Sequence, residues 1–179
     1  MLVNAMCLWY NANMKRIVLV IAVVVLLLLG GTTAVLASRS QQKPATQAIA
    51  TVPFDTASIF AQVNQVRTSN GIQPLTRDIR LDLSAEAKCQ DEVNLHYFKH
   101  NRPNGEQPWV FFDQAGYKYT EAGENLAEGY PNVSRLMTAW KVSPEHLSNM
   151  ISNKYADTGI AMCKDVDTIL VVQHFGNLN

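Results

Sequence analysis

Excess charge of either sign is missing from this sequence. It has 15 Lys/Arg against 15 Asp/Glu in 179 residues. Two of the basic residues, Lys15 and Arg16, precede residue 38 and no acidic residue does, so the remainder carries 13 basic against 15 acidic groups and a net charge near −2. These charges are scattered, which excludes a basic surface for nucleic acid. Cysteine is also scarce. Three cysteines, widely spaced, exclude a zinc ribbon and a disulfide-dense miniprotein. No internal repeat occurs. The nucleophile elbow G-x-S-x-G is absent; Ser143, beside Pro144, does not stand in one. His96-x3-His100 has the spacing of a helical zinc pair, but Tyr97 occupies the place where a metalloprotease needs its general-base Glu. Cys89 and Cys163 lie in apolar settings that do not activate a thiolate.

What the chain does have begins with one long apolar run. Residues 17–37, IVLVIAVVVLLLLGGTTAVLA, carry no charge and are long enough to span a bilayer, which takes about 20 residues. Lys15-Arg16 before the run place the C-terminal part of the chain outside the cytoplasm. Val35-Leu36-Ala37 has the small-residue form of a cleavage site, so a signal peptide and an uncleaved anchor both fit. The expected organisation is an N-terminal extension with a signal or anchor over 1–37, a Ser/Gln/Thr/Ala/Pro linker over 38–54, and an extracytoplasmic domain over 55–179. Met14-Lys15-Arg16 reads as a natural signal start, with residues 1–13 arising from an upstream start codon.

Within the domain, Asp55 is expected to cap a helix to about residue 70, with Ile59, Phe60, Val63 and Val66 on its apolar face and Gly71 as its stop. A second helix is expected over 78–99, where Leu81, Ala85, Cys89, Val93 and Tyr97 recur every four residues. Residues 109–114 suggest a short helix. Asn132 or Ser134 caps a helix to Trp140, and Ser143-Pro144 starts another that ends near 153. Two β-rich runs, 158–163 and 168–174, close the chain around a hairpin-like connection at 165–167. Helices first and a small antiparallel sheet late give an α+β layering. In an exported chain a Cys89–Cys163 disulfide would tie the second helix to the sheet; two buried free thiols fit equally.

The chemistry centres on residues 116–130, GYKYTEAGENLAEGY. Glu124, behind Gly123 and before the apolar Leu126-Ala127, is a carboxylate that needs partners. His100 and His146 lie about equally far away on either side. Two imidazoles and a carboxylate suit zinc or a related divalent ion with one position left for water. They equally suit acid–base work around a ligand. As separate residues, His100 fits a helix end, Glu124 fits the cap of a short helix beginning at Asn125, and His146 fits an exposed turn.

The order of segments carries a resemblance. Asn64-x2-Arg67, Gly71-x2-Pro74-Leu75, Tyr97-Phe98-Lys99-His100, Ala122-Gly123-Glu124-Asn125-Leu126-Ala127, Trp140-x2-Ser143-Pro144-Glu145-His146, Asn149-Met150-Ile151 and Gln173-His174-Phe175-Gly176 succeed one another. This series, over about residues 56–178, resembles the CAP superfamily of cysteine-rich secretory, antigen 5 and pathogenesis-related proteins, and most closely its bacterial SCP-like extracellular branch. The resemblance implies a three-layer α-β-α sandwich with a small, mainly antiparallel sheet. It also implies a cavity lined by two histidines and two acids, with the histidines, here His100 and His146, holding a divalent metal such as zinc in some members. Glu124 matches the first acid. The second acid is missing from its usual place, which Pro108-Trp109-Val110-Phe111 now fills; Glu106, in the loop after His100, is favoured over Asp113. Glu145 and Leu147 stand where the family has Gly and Arg, and Glu145 adds a carboxylate beside the site.

The expected function is that of a secreted or membrane-anchored binding module of the cell envelope, leaning away from an enzyme. Its expected partners are a divalent metal, a small ligand, a lipid or an envelope component, with membrane contact through the N-terminal segment if it is uncleaved. The alternative is a metal-assisted hydrolase using His100, His146 and Glu124. A third reading makes the His–Glu bonds mainly structural.

Overall fold

The computed structural model describes residues 54–178. The expected signal or anchor, the linker up to residue 53 and the upstream start lie outside the described residues. Among the described residues no helix is long and apolar enough to cross a membrane.

Helix α1 (Thr56–Ser69) begins where expected, with the Asp55 carboxylate accepting from Ser58 N at 2.7 Å. Gly71, at φ +72°, provides the left-handed residue after its end. Two polar residues on α1 then fix the chain beyond it. Asn64 exchanges two hydrogen bonds with the Leu75 backbone. Arg67, fully buried, donates to the carbonyls of Gln73, Met150, Ser152 and Tyr155. One guanidinium thus satisfies backbone groups from two distant segments.

A two-residue strand, β1 (Thr76–Arg77), leads into α2 (Ile79–Leu95), capped by Asp78. The second helix was expected to reach Lys99 and stops four residues earlier. His96 adopts φ 52°, its N–H bonds Val93 O, and the Tyr97 N–H bonds Glu92 O. This is a Schellman ending with a histidine in the left-handed position. His96 and His100 are therefore not one helical turn apart, and the two-histidine helical pair does not form. The next loop leads to α3 (Trp109–Gln114).

The largest departure is β2 (Tyr119–Glu128), where no strand was expected. It pairs antiparallel with β4 (Thr168–Leu178), which pairs antiparallel with β3 (Asp157–Asp165); β1 joins β3 in parallel, giving the order β1-β3-β4-β2. Helices α4 (Val133–Val142), capped by Asn132, and α5 (Pro144–Ile151), with Pro at its first position, fall where expected. The Cβ alternation of the strands separates two cores. Val171 and Phe175 of β4, with Ile160 and Ala127, pack against α1, α4 and α5. Leu170 and Val172, with Ala161, Cys163 and Leu126, face Ala85 and Cys89 of α2. The chain is thus an α+β, three-layer α-β-α sandwich around a small, mainly antiparallel sheet.

Cys89 and Cys163 form a disulfide between α2 and β3. Closing 74 residues of chain stabilises the fold by about 4 kcal/mol in the chain-entropy description. Helix and sheet also approach unusually closely at one point. A Cβ on Gly159 would overlap the backbone of Leu81 and Asp82, and the neighbouring Ile160 N–H donates to Asp82 Oδ1 at 2.9 Å. Gly159→Ala must push α2 off the sheet, so it is expected to destabilise the domain by about 3 kcal/mol or more. A urea denaturation midpoint equal to wild type would contradict this packing.

Candidate functional site

Glu124 and His174 are directly opposed across β2 and β4. Both side chains point to the α2 face and both are buried. His174 Nε2 lies 3.0 Å from Glu124 Oε2, and His100 Nδ1 lies 2.7 Å from Glu124 Oε1. Each carboxylate oxygen therefore holds one imidazole. An ionised carboxylate only accepts, so both ring nitrogens carry the hydrogen. Burial pushes the Glu124 pKa up, but the bonds from His100 and then His174 outweigh it and hold the group below the usual carboxylate value.

Burial lowers the pKa of His174 despite Glu124. The ring is therefore neutral near pH 7 with its proton on Nε2, and its Nδ1 accepts from the Ser84 hydroxyl at 2.9 Å. Phe112 covers the ring, centroid to centroid 4.6 Å. His100 behaves in the opposite way: its hydrogen bond to Glu124 raises its pKa, and burial opposes the shift. Its side chain is 58% exposed. The result is one chain of bonds, Ser84 to His174 to Glu124 to His100, running from the core to the surface.

A second buried pair supports it. Lys88 and Glu92, one turn apart on α2, are both fully enclosed with Nζ and Oε1 3.0 Å apart. Lys88 directs its hydrogen bonds elsewhere, to Lys99 O at 2.7 Å and to Tyr97 Oη at 3.1 Å. Neither Glu92 oxygen has a well-aligned hydrogen bond among the described residues. Burial pushes Glu92 up to about 7, with Glu124 adding to the rise. The bond to Lys99 O anchors the residue just before His100. The same loop is held by Asp91, which accepts from Tyr97 Oη and from Nε and Nη2 of Arg102. His100 is thus placed by a loop that Lys88 and Asp91 of α2 anchor.

His146 sits in the first turn of α5, half-buried, with its ring over Trp140 at 6.0 Å and 30°. Its ring makes no hydrogen bond among the described residues, while its carbonyl accepts from Asn125 Nδ2. Burial lowers its pKa first, and the charge on His100 lowers it further. Glu106 was the favoured fourth member. It is exposed, paired with Arg102, and outside the cavity beside Glu124. Asp113 pairs with Lys118, and Glu145 accepts from Ser143 Oγ; both face solvent. The residue that pattern reading missed is His174. Its signal was the Gln173-His174-Phe175-Gly176 segment, whose partner strand went unread.

A cavity of about 280 Å³ opens beside this centre, lined by His100, Glu124, Gln107, Trp109, Asn149 and Tyr155 among others. Tyr155 lies over Gly123 so closely that a Cβ there would stand 2.5 Å from its hydroxyl. The outer edge of β2 is closed by three side chains. Tyr155 Oη donates to Ala122 O, Asn149 Nδ2 to Glu124 O, and Trp140 Nε1 to Leu126 O. A larger groove of about 460 Å³ lies elsewhere, between α1 and α4, where Val66, Met137 and Leu147 meet Gln62, Gln65 and Lys141.

Fold and centre together define a class: a small α-β-α domain with a carboxylate held between two histidines beside an open cavity. Residues 60–175 match the family model of CAP, the cysteine-rich secretory protein family, and the chain belongs to that family. It is 29% identical over 124 residues to the uncharacterized protein YkwD of Bacillus subtilis (strain 168), covering 69% of this chain. The chain spans about half, 48%, of that relative's length. An outer surface protein from Borrelia burgdorferi has the same fold, with TM-score 0.63, 20% identity, and coverage of 68% of this chain and 90% of that one. An extracellular protein containing a SCP domain from Bacillus anthracis matches with TM-score 0.62, 20% identity, and coverage of 68% and 39%.

The opposite shifts of the two bonded histidines set a test. Because the folded pKa of His100 is raised, its pairing with Glu124 stabilises the fold fully below about 6.5 and is lost as pH rises through the folded value. His174 is lowered, so it withdraws stability as pH falls below its unfolded value. Followed by NMR, His100 should titrate above 6.5 and fall to or below it in Glu124→Gln, because burial is then the largest remaining influence. An unchanged His100 midpoint in that variant would show that Glu124 does not control it.

Proposed function

We propose that this chain is an exported, non-catalytic binding module of the cell envelope, in which the cavity beside His100 and Glu124 takes a small ligand or a divalent ion. The observation that carries the reading is the state of Glu124. Its two oxygens are engaged by His100 and His174, and its pKa is held low, so it serves as an anchor for imidazoles rather than as a base facing substrate. No Ser, Thr, Cys or Lys lines the cavity, which leaves no side-chain nucleophile of those types at its wall. Export is supported by the apolar run at 17–37 and by the Cys89–Cys163 disulfide, a bond that persists in oxidising compartments. The extracellular and outer-surface descriptions of the two structural neighbours point the same way.

A divalent ion fits this site in a limited sense. Among the described residues no three His, Cys, Asp or Glu side chains cluster as a metal site. His100 does offer a free Nε2, with its Nδ1 oriented by a carboxylate as in many metal-ligating histidines. His146, which is not among the residues that line the cavity, would be the second donor, and water would complete the shell of a weakly held ion. Such an ion would supply a Lewis acid at the cavity wall. A lipid, the other expected ligand, would suit the half-apolar groove between α1 and α4 better than this polar cavity.

Zinc titration by calorimetry tests the metal arm. Binding should be weak, one ion per chain, and reduced about tenfold or more by His100→Ala and by His146→Ala. No heat from zinc, with a large loss of stability in His100→Ala, would instead favour a structural role for the His–Glu bonds. Peptides, esters and cell-wall fragments should show no metal-dependent turnover. Turnover abolished by Glu124→Gln with the fold intact would overturn the non-catalytic reading.

A further inference from the structure

The cavity beside His100 has a lining whose chemistry narrows its ligand. We propose that it binds one ring of a neutral saccharide, stacked on Trp109 and held by the side-chain amides of Gln107, Asn101 and Asn149. The inference rests on reading this cavity as a ligand site.

Charge excludes the main alternatives. No Lys or Arg lines the cavity, so nothing there neutralises a phosphate or a carboxylate. The single carboxylate, Glu124, has an imidazole on each oxygen, so it offers little to an ammonium group. The remaining polar capacity is neutral and bidirectional. The Asn101 and Gln107 amides are exposed at the mouth and make no side-chain hydrogen bond among the described residues. Each presents a donor and an acceptor. Asn149 spends its N–H groups on Glu124 O and Asn125 Oδ1, which leaves its own Oδ1 as an acceptor. His100 adds Nε2. Vicinal hydroxyls, each both donor and acceptor, are the groups that such a set pairs with.

Trp109 supplies the platform. It is half-buried at the N-terminus of α3, packed against Phe112 at 5.4 Å in a T-shaped contact and against Tyr119 at 6.5 Å. These contacts hold the indole in place before any ligand arrives, which lowers the ordering cost at the platform. A fixed indole face accepts the C–H face of a pyranose while the amides take its equatorial hydroxyls. At about 280 Å³ the space lies just below the roughly 300–1,000 Å³ of sites for drug-sized ligands, so it suits one ring of a longer chain whose neighbours remain in solvent.

The test titrates the full chain with two neutral probes, the N-acetylglucosamine trimer and maltotriose, by calorimetry and by NMR of the His100 ring. Saturable binding of either probe should shift His100. It should weaken about tenfold in Gln107→Ala and in Trp109→Ala. Gln107 and Asn101 are exposed, so Gln107→Ala and Asn101→Ala should keep the wild-type thermal midpoint, and weakened binding in them cannot be ascribed to unfolding. Neither probe binding up to about 10 mM, or binding unchanged in both Gln107→Ala and Trp109→Ala, would overturn the proposal. If inorganic phosphate binds more tightly than the saccharides, the charge argument is wrong and the proposal falls with it. Zinc shifting His100 while no saccharide does would overturn this inference and leave the ligand-site reading standing. Silence from every probe would remove both.

Discussion

A buried carboxylate with two imidazoles on it is the constraint around which this domain is arranged. Glu124 must be solvated by protein because α2 and the sheet exclude water from it. Its two partners come from elements far apart in sequence, one on β4 and one on the loop after α2. Satisfying the group therefore requires strand pairing, helix docking and loop closure at once. His174 is in turn satisfied by Ser84 on α2, which extends the requirement into the opposite layer. Breaking a link leaves a polar atom stranded in a low-dielectric interior, which is costlier than losing an ordinary contact.

The second buried pair, Lys88 and Glu92, is a less favourable arrangement. A charge pair enclosed by protein regains its desolvation cost only with good hydrogen bonds, and the Glu92 oxygens lack well-aligned ones among the described residues. What Lys88 does secure is the carbonyl of Lys99 and the hydroxyl of Tyr97. The ammonium thus holds the loop that delivers His100 while pairing beneath the site. Because the Glu92 pKa is raised to about 7, the folded state keeps a proton there that the unfolded chain has shed, and stability declines as pH rises from about 4.5 to 7.

Much of this was legible in the sequence. The caps at Asp55 and Asn132, the proline start at Pro144 and the β-rich composition of the last two strands marked their elements, because each is a local signal. Segment order brought His100 and Glu124 to one site, and their side chains lie 2.7 Å apart. Strand β2 was not legible, since Gly, Glu, Ala and Asn are poor strand formers and their placement is decided by tertiary partners. Missing β2 hid the register that sets His174 opposite Glu124. The end of α2 was misread because the four-residue apolar repeat continues through Tyr97, whereas His96 turns left-handed and ends the helix. Glu106 was chosen by proximity in sequence, and the nearby Arg102 claimed it instead.

The closed outer edge of β2 has a consequence beyond the site. An edge strand normally presents a row of free carbonyls to any other chain that approaches in extended form. Here Tyr155, Asn149 and Trp140 occupy three alternate carbonyls in succession, and Gly123 gives Tyr155 room to lie flat across the strand. The sheet therefore cannot grow on that side without evicting three side chains. The residues that shape the cavity wall double as a seal against strand addition, so substitutions that loosen them would favour self-association along β2 as well as altering what the cavity holds.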